Sequence, residues 1–220
     1  MGSRRNEPRA TTTIAIIAKA PVPGRSKTRL TPPCTPQQAA ALATAALADT
    51  LAAVAATPGA RRIVVLDGAP EPWLGPGFEV IPQRGAGLAE RLAAAFADIG
   101  EPALVIGMDT PQLTPRMLSH ALQRLAGADA VLGAACDGGY WSIGLRAADD
   151  AVFAEVPMSD PATCAVQRAR LNALGLRTHE LPVLRDVDDI ADARAVAARA
   201  PHTRFARTLA TLRLAEAVAA

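Results

Sequence analysis

The chain has 220 residues, a formal net charge of +2, half of its residues hydrophobic and only 3% aromatic. That length fits one α/β domain with a core of small aliphatic side chains, and the absence of a basic stripe interleaved with aromatics excludes a dedicated nucleic-acid binder. Cys34, Cys136 and Cys164 are odd in number and lack metal-ligand or redox spacing, which predicts reduced thiols, no zinc and a cytoplasmic protein.

Residues 1–11 read as a disordered tail. Its basic head is followed by an apolar run, Ile14–Ala18, too short for an export signal and closed by Lys19. "TTTIAIIA" reads as a buried strand, as do "RRIVVLDG" (61–68), "FEVIPQ" (78–83) and "PALVIGMD" (102–109). Between the first two, Thr35, Pro36 and Gln38 form a cap, a first-turn proline and a capping box for a helix to about Thr57. Its alanine-rich run approaches membrane-spanning length, but Thr44, Asp49 and Thr50 interrupt it, so a buried helix is expected and no membrane. Helices follow over Leu88–Ile99 and from Thr114–Pro115 to about Leu125, giving the alternation of a doubly wound sheet with ligands at its carboxyl edge.

After Asp129 the alternation breaks. "ADAVLGAACDGGYWSIGL" predicts two strands joined by a hairpin at Cys136–Gly139. A helix over about 161–174, a strand "LRTHELP", and helices over 188–200 and 203–218 complete the chain, the last packing on the domain or on a partner. The organisation expected is a tail (1–11), one domain (12–200) and a C-terminal helix (201–220), compatible with a homodimer.

Both lysines of the chain lie in "KAPVPGRSKTRL", while every other basic side chain is arginine. Pro21, Pro23 and Gly24 make this a rigid loop, and Lys19, Arg25, Lys27 and Arg29 could neutralise a polyphosphate; a solvated basic turn is the plain alternative. Asp109 ends the most hydrophobic strand, where a carboxylate facing a phosphate loop would suit magnesium, although Asp and Pro are also ordinary turn residues. "LRDVDDIADA" adds Asp186, Asp188 and Asp189, the last of which suits the first turn of the next helix. In Asp137-Gly138-Gly139-Tyr140, a hairpin turn is the plain reading of the glycines. His120, His179, His202 and Ser142 form no triad or metal grouping, so hydrolase chemistry has no support.

Four segments, "KAPVPGRSKTRL", "GMDTPQL", "DGGYWSIGL" and "LPVLRDVDD", in this order resemble the bacterial GT-A-like transferases related to 2-phospho-lactate guanylyltransferase, over roughly 12–196. The resemblance implies a three-layer α/β/α, Rossmann-like nucleotide-diphospho-sugar transferase fold with a mixed, mainly parallel sheet. It implies nucleotide phosphates at Lys19, Gly24, Arg25, Lys27 and Arg29, with Gly85 and Gly87 of "RGAGLAERL" beside the nucleotide. It places Mg2+ or Mn2+ on Asp109 with Asp186 or Asp188, makes Lys27 and Asp109 the catalytic pair, and turns Asp137–Tyr140 into acceptor contacts. Trp141-Ser142 stands where relatives carry a second tyrosine and an aliphatic residue, and Met158-Ser159-Asp160 replaces their Trp-Ser-Thr, so the acceptor pocket departs from the family. The expected activity is nucleotidyl transfer from a nucleoside triphosphate to a small acceptor. The alternatives are glycosyl transfer from a nucleotide sugar and a silent nucleotide-binding protein.

Overall fold

A computed structural model describes residues 12–100 and 102–214. Seven strands form one sheet: β1 (Thr13–Lys19), β2 (Arg61–Asp67), β3 (Glu79–Pro82), β4 (Ala103–Gly107), β5 (Ala130–Ala135), β6 (Tyr140–Leu145) and β7 (Thr178–Leu184). Their order is β3-β2-β1-β4-β6-β5-β7. Only β6 runs against its neighbours, pairing antiparallel with β4 and β5. Helices α1 (Pro36–Ala55), α2 (Leu88–Ile99), α3 (Pro115–Ala126), α4 (Thr163–Ala173), α5 (Ile190–Arg199) and α6 (Arg204–Thr211) complete the α/β architecture.

Alanine and β-branched residues make the strands apolar on both faces, so each face needs a helical cover. Ile14, Ile16, Leu104 and Ile106 pack with Leu47 and Leu51 of α1 and Leu118 and Leu125 of α3. Ile63, Val65, Val105 and Ile143 pack on the other face with Leu92 and Phe96 of α2 and Leu171 of α4. The capping box at α1 is formed, with Thr35 and Gln38 exchanging backbone-to-side-chain bonds. α1 is the one described helix long and apolar enough to cross a membrane, and 61% of its most apolar window is buried inside the protein. It is a core helix.

The last helix is shorter than its sequence suggests: α6 ends at Thr211, and residues 215–220 lie outside the described residues, as do 1–11. Phe205 of α6 is buried with Leu42 and Ala46 of α1 and Val196 of α5. Asp49 of α1 secures α6 by accepting from Arg204 N (3.0 Å) and Phe205 N (2.8 Å). Asp49→Ala would strip both orphan helix-end donors of a charged acceptor and is expected to cost about 1.5–3 kcal/mol. Urea unfolding at matched m-value checks this, and an unchanged midpoint would dismiss the cap.

The registers bring the strand ends that precede Asp109, Asp137 and Asp186, and the end of β1 at Lys19, to one edge. Lys19 pairs with Asp67 and Ile17 with Gly107, so the carboxyl ends of β1, β2 and β4 finish together. Because β6 is antiparallel, the β5–β6 turn rises at that same edge, with Ile106 opposite Ser142. β7 runs parallel to β5, with Leu184 opposite Ala135, so Asp186 emerges there too.

Candidate functional site

Two adjoining cavities occupy this edge. The larger, about 620 Å3, runs from Lys19 and Arg29 across the ends of β1 and β4 to Tyr140, Met158 and Asp160. The smaller, about 260 Å3, lies within the basic loop and includes Arg25, Lys27 and Arg29. Gly24, Gly85, Gly87 and Gly138 line neither cavity, whereas Gly139 lines the larger.

The loop after β1 turns tightly, with Arg25 N and Ser26 N both donating to Val22 O and Ser26 Oγ accepting from Val22 N. Lys27 follows with left-handed backbone angles (φ 49°, ψ 44°), which points its side chain inward. Its ammonium contacts Asp109 Oδ2 at 2.8 Å and Asp188 Oδ1 at 3.5 Å and donates to the carbonyl of Val187. Burial works against its charge, but the adjacent Asp109, helped by Asp188 and Asp186, outweighs burial and pushes its pKa above the ordinary lysine value. Arg29 Nη1 reaches Asp188 Oδ2 at 2.9 Å. Lys19 is half-exposed and 3.9 Å from Asp67, whose Oδ2 also accepts from Arg91 at 2.9 Å. Of the four expected phosphate contacts, Lys19, Arg25 and Arg29 face a cavity, Arg29 paired there with Asp188, while Lys27 is buried among carboxylates.

The acidic residues sort differently from their motif spacing. Asp137, Asp186 and Asp188 each place an oxygen within 4.8 Å of the others, the separation a single cation can span. Asp109 is outside this group and on Lys27, but its Oδ1 is buried with no hydrogen-bond partner among the described residues. Burial, then the nearby Asp137 and Asp188 carboxylates, push Asp186 up to about 6. This crowding is an electrostatic strain that a divalent ion would relieve. Asp189 caps α5 in a capping box with Asp192 and has no place in the cluster.

The turn carrying Asp137 is held from below. Gly138 adopts φ +92°, its carbonyl accepts from Cys164 N at the start of α4, and Gly139 N donates to Asp137 Oδ1 at 2.9 Å. Tyr140 lines the cleft, but its hydroxyl points to Gln167 Oε1 at 3.4 Å, and burial pushes its pKa up. Trp141 sits where the β5–β6 register shifts; its indole lies over Gly133, where a Cβ would stand 2.5 Å from the ring, and donates to Pro182 O at 3.0 Å. That departure from the family pattern is a core anchor. Gln83, which the motif reading passes over, also lines the cleft; its amide donates to Ala18 O and Val65 O and accepts from Arg91. Its only sequence signal is its position just before "RGAG".

Residues 38–160, more than half of the chain, match the model of a family described as an uncharacterized protein conserved in bacteria (DUF2064). The chain belongs to this family. The DUF2064 match includes Asp109 and Asp137–Tyr140, while the basic loop and the late aspartates lie outside it. No curated protein matches the chain in sequence. A protein from Desulfovibrio desulfuricans G20, provisionally assigned as a nucleotide-diphospho-sugar transferase, is 25% identical with a TM-score of 0.83, covering 91% of this chain and 94% of its own. CMP:2-keto-3-deoxy-manno-octonic acid synthetase complexed with CTP is 14% identical (TM-score 0.57; 88% and 99% coverage). Rv0371c of Mycobacterium tuberculosis H37Rv, complexed with manganese, is 19% identical (0.56; 85% and 97%). The Desulfovibrio likeness gives the fold as the GT-A-like one of nucleotide-diphospho-sugar transferases, in agreement with the sequence resemblance, and the other two share that fold.

Proposed function

We propose that this DUF2064 protein is a divalent-cation-dependent nucleotidyltransferase acting on a nucleoside triphosphate. The observation that carries the reading is the pairing, across one cleft at the sheet's carboxyl edge, of a basic loop with the three converging carboxylates of Asp137, Asp186 and Asp188. The likeness to a CTP-bound synthetase and to a manganese-bound protein of the same fold supports it.

Asp137, Asp186 and Asp188 would hold Mg2+ or Mn2+, with the orphan Oδ1 of Asp109 the further carboxylate oxygen beside them. When bound, the ion supplies Lewis-acid polarisation of the phosphoryl oxygens. Lys19, Arg25 and Arg29 take up the triphosphate's charge, and Lys27 keeps Asp109 and Asp188 in place. An acceptor oxygen bonds to the α-phosphorus as the bond to the bridging oxygen breaks, and pyrophosphate leaves with the electron pair.

Glycosyl transfer is the second reading, favoured by the Desulfovibrio likeness and by the engagement of Lys27 with Asp109 and of Arg29 with Asp188, which leaves fewer free loop cations than the four that would suit a triphosphate best. A thermal-shift screen of nucleoside triphosphates and nucleotide sugars, each with and without manganese, separates the two. Stabilisation by a triphosphate that requires manganese and is lost in Asp186→Ala is expected. Stabilisation by nucleotide sugars alone would transfer the assignment to the second reading, and metal-independent binding would overturn the metal site.

A further inference from the structure

The larger cavity changes electrostatic character along its length. Its cationic lining is Lys19 and Arg29, both at the basic-loop end. At the far end, over β6 and the start of α4, its charged residues are Asp137, the triad member nearest this end, and Asp160, set among Tyr140, Met158 and Ser159. Asp160 belongs there because its loop lies against the Asp137 turn: a Cβ on Gly138 would stand 1.9 Å from Pro161 O, and Cys164 N bonds to Gly138 O. Ala162 N holds Asp160 Oδ1 at 2.7 Å, as Gly139 N holds Asp137 Oδ1, and neither carboxylate has an ion pair among the described residues. The arginines of the neighbouring elements are engaged, Arg168 on Glu180 and Arg185 on Asp192.

A phosphate or carboxylate on the acceptor would meet this end with no guanidinium or ammonium among the described residues to receive it. One divalent ion would not reverse the sign, because three carboxylates hold it and Asp160 stands beyond them. We infer that the acceptor is a small alcohol carrying neither phosphate nor carboxylate, neutral or amine-bearing, and that its hydroxyl is the nucleophile. This rests on the nucleotidyltransferase reading. Asp137 and Asp160 accept hydrogen bonds from the acceptor's hydroxyl or ammonium groups, and Tyr140 and Met158 pack its carbon skeleton. The hydroxyl oxygen bonds to the α-phosphorus, pyrophosphate departs, and the hydroxyl proton passes to water at the mouth of the cleft, where Asp137 is exposed. Asp160 is thus a specificity-determining residue.

The test is saturation-transfer NMR on the full chain with Mg2+ and a non-hydrolysable nucleoside triphosphate analogue. The probes are matched pairs: glycerol with glycerol 3-phosphate, erythritol with erythritol 4-phosphate, ethanolamine with phosphoethanolamine, and propanediol with lactate. Transfer to the unphosphorylated, uncarboxylated members is expected, and Asp160→Lys should weaken ethanolamine binding about tenfold while admitting the anionic partners. Stronger transfer to the anionic members in the wild type, or none to any neutral or amine-bearing one, would overturn the inference. The analogue's base protons report separately: if they show no binding, the transferase reading itself has failed and the inference goes with it.

Discussion

Gly138→Ala is expected to be among the most damaging single-methyl additions in this protein. The new Cβ would lie 1.9 Å from Pro161 O and 2.6 Å from Pro161 C, backbone atoms that cannot rotate away, on a residue whose φ is +92°. Overpacking and left-handed strain together are expected to cost about 3–5 kcal/mol. The turn can relieve the clash only by parting from α4, which breaks the Cys164 N to Gly138 O bond and moves Asp137 away from Asp186 and Asp188. Manganese affinity should therefore fall with stability. Gly175→Ala is the matched control, since Gly175 also has positive φ (+71°) but nothing within 4 Å of a Cβ; it should lose only about 1–2 kcal/mol and keep its metal. Equal urea midpoints for the two variants would show that the α4 contact does not hold the turn.

The same turn shows where the sequence is legible and where it is not. Asp-Gly between two apolar runs identifies the β5–β6 hairpin because turn chemistry is local. The capping box at Thr35 and the first-turn proline of α3 are readable for the same reason. That Asp137 joins the late aspartates is not local. It depends on β7 entering the sheet beside β5 in parallel, with Leu184 opposite Ala135, after the α4 crossover. A linear motif ranks Asp109 with Asp186 and Asp188 because all three follow strands, but it cannot say which oxygens converge. Asp186 and Asp188 are two apart on the segment after β7, and the tertiary partner that completes their group comes from the β5–β6 turn. Trp141 is hidden in a similar way: its place beside the Gly-Gly pair suggests a ligand contact, whereas the register shift and the bare backbone of Gly133 turn it into the core.

Lys27→Arg is expected to destabilise the protein although it keeps the charge. The ammonium has three N–H donors, and three acceptors converge on it from two segments: Asp109 Oδ2 after β4, and Asp188 Oδ1 and the Val187 carbonyl after β7. A guanidinium presents its donors in a planar fork and cannot meet three converging oxygens in a site that leaves the lysine side chain only 11% exposed. This geometry gives a reason for lysine in a chain whose other basic residues, apart from Lys19, are all arginine. Lys27→Met keeps the length and leaves Asp109 and Asp188 without this cation; the loss is expected near the low end of the range for a broken buried pair, about 3 kcal/mol, because both carboxylates keep about a third of their exposure. Adding Asp109→Asn to Lys27→Met removes one uncompensated charge and should restore about 1 kcal/mol or more, a coupling that distant sites do not show. Lys27→Gly should be more stable than Lys27→Ala by about 1 kcal/mol, since both lose the side chain but only glycine adopts φ 49° without strain. Urea unfolding of the five variants tests the whole scheme. If Lys27→Arg unfolds at the wild-type midpoint, the convergence of three acceptors does not select lysine, and its presence at that position is an accident of composition.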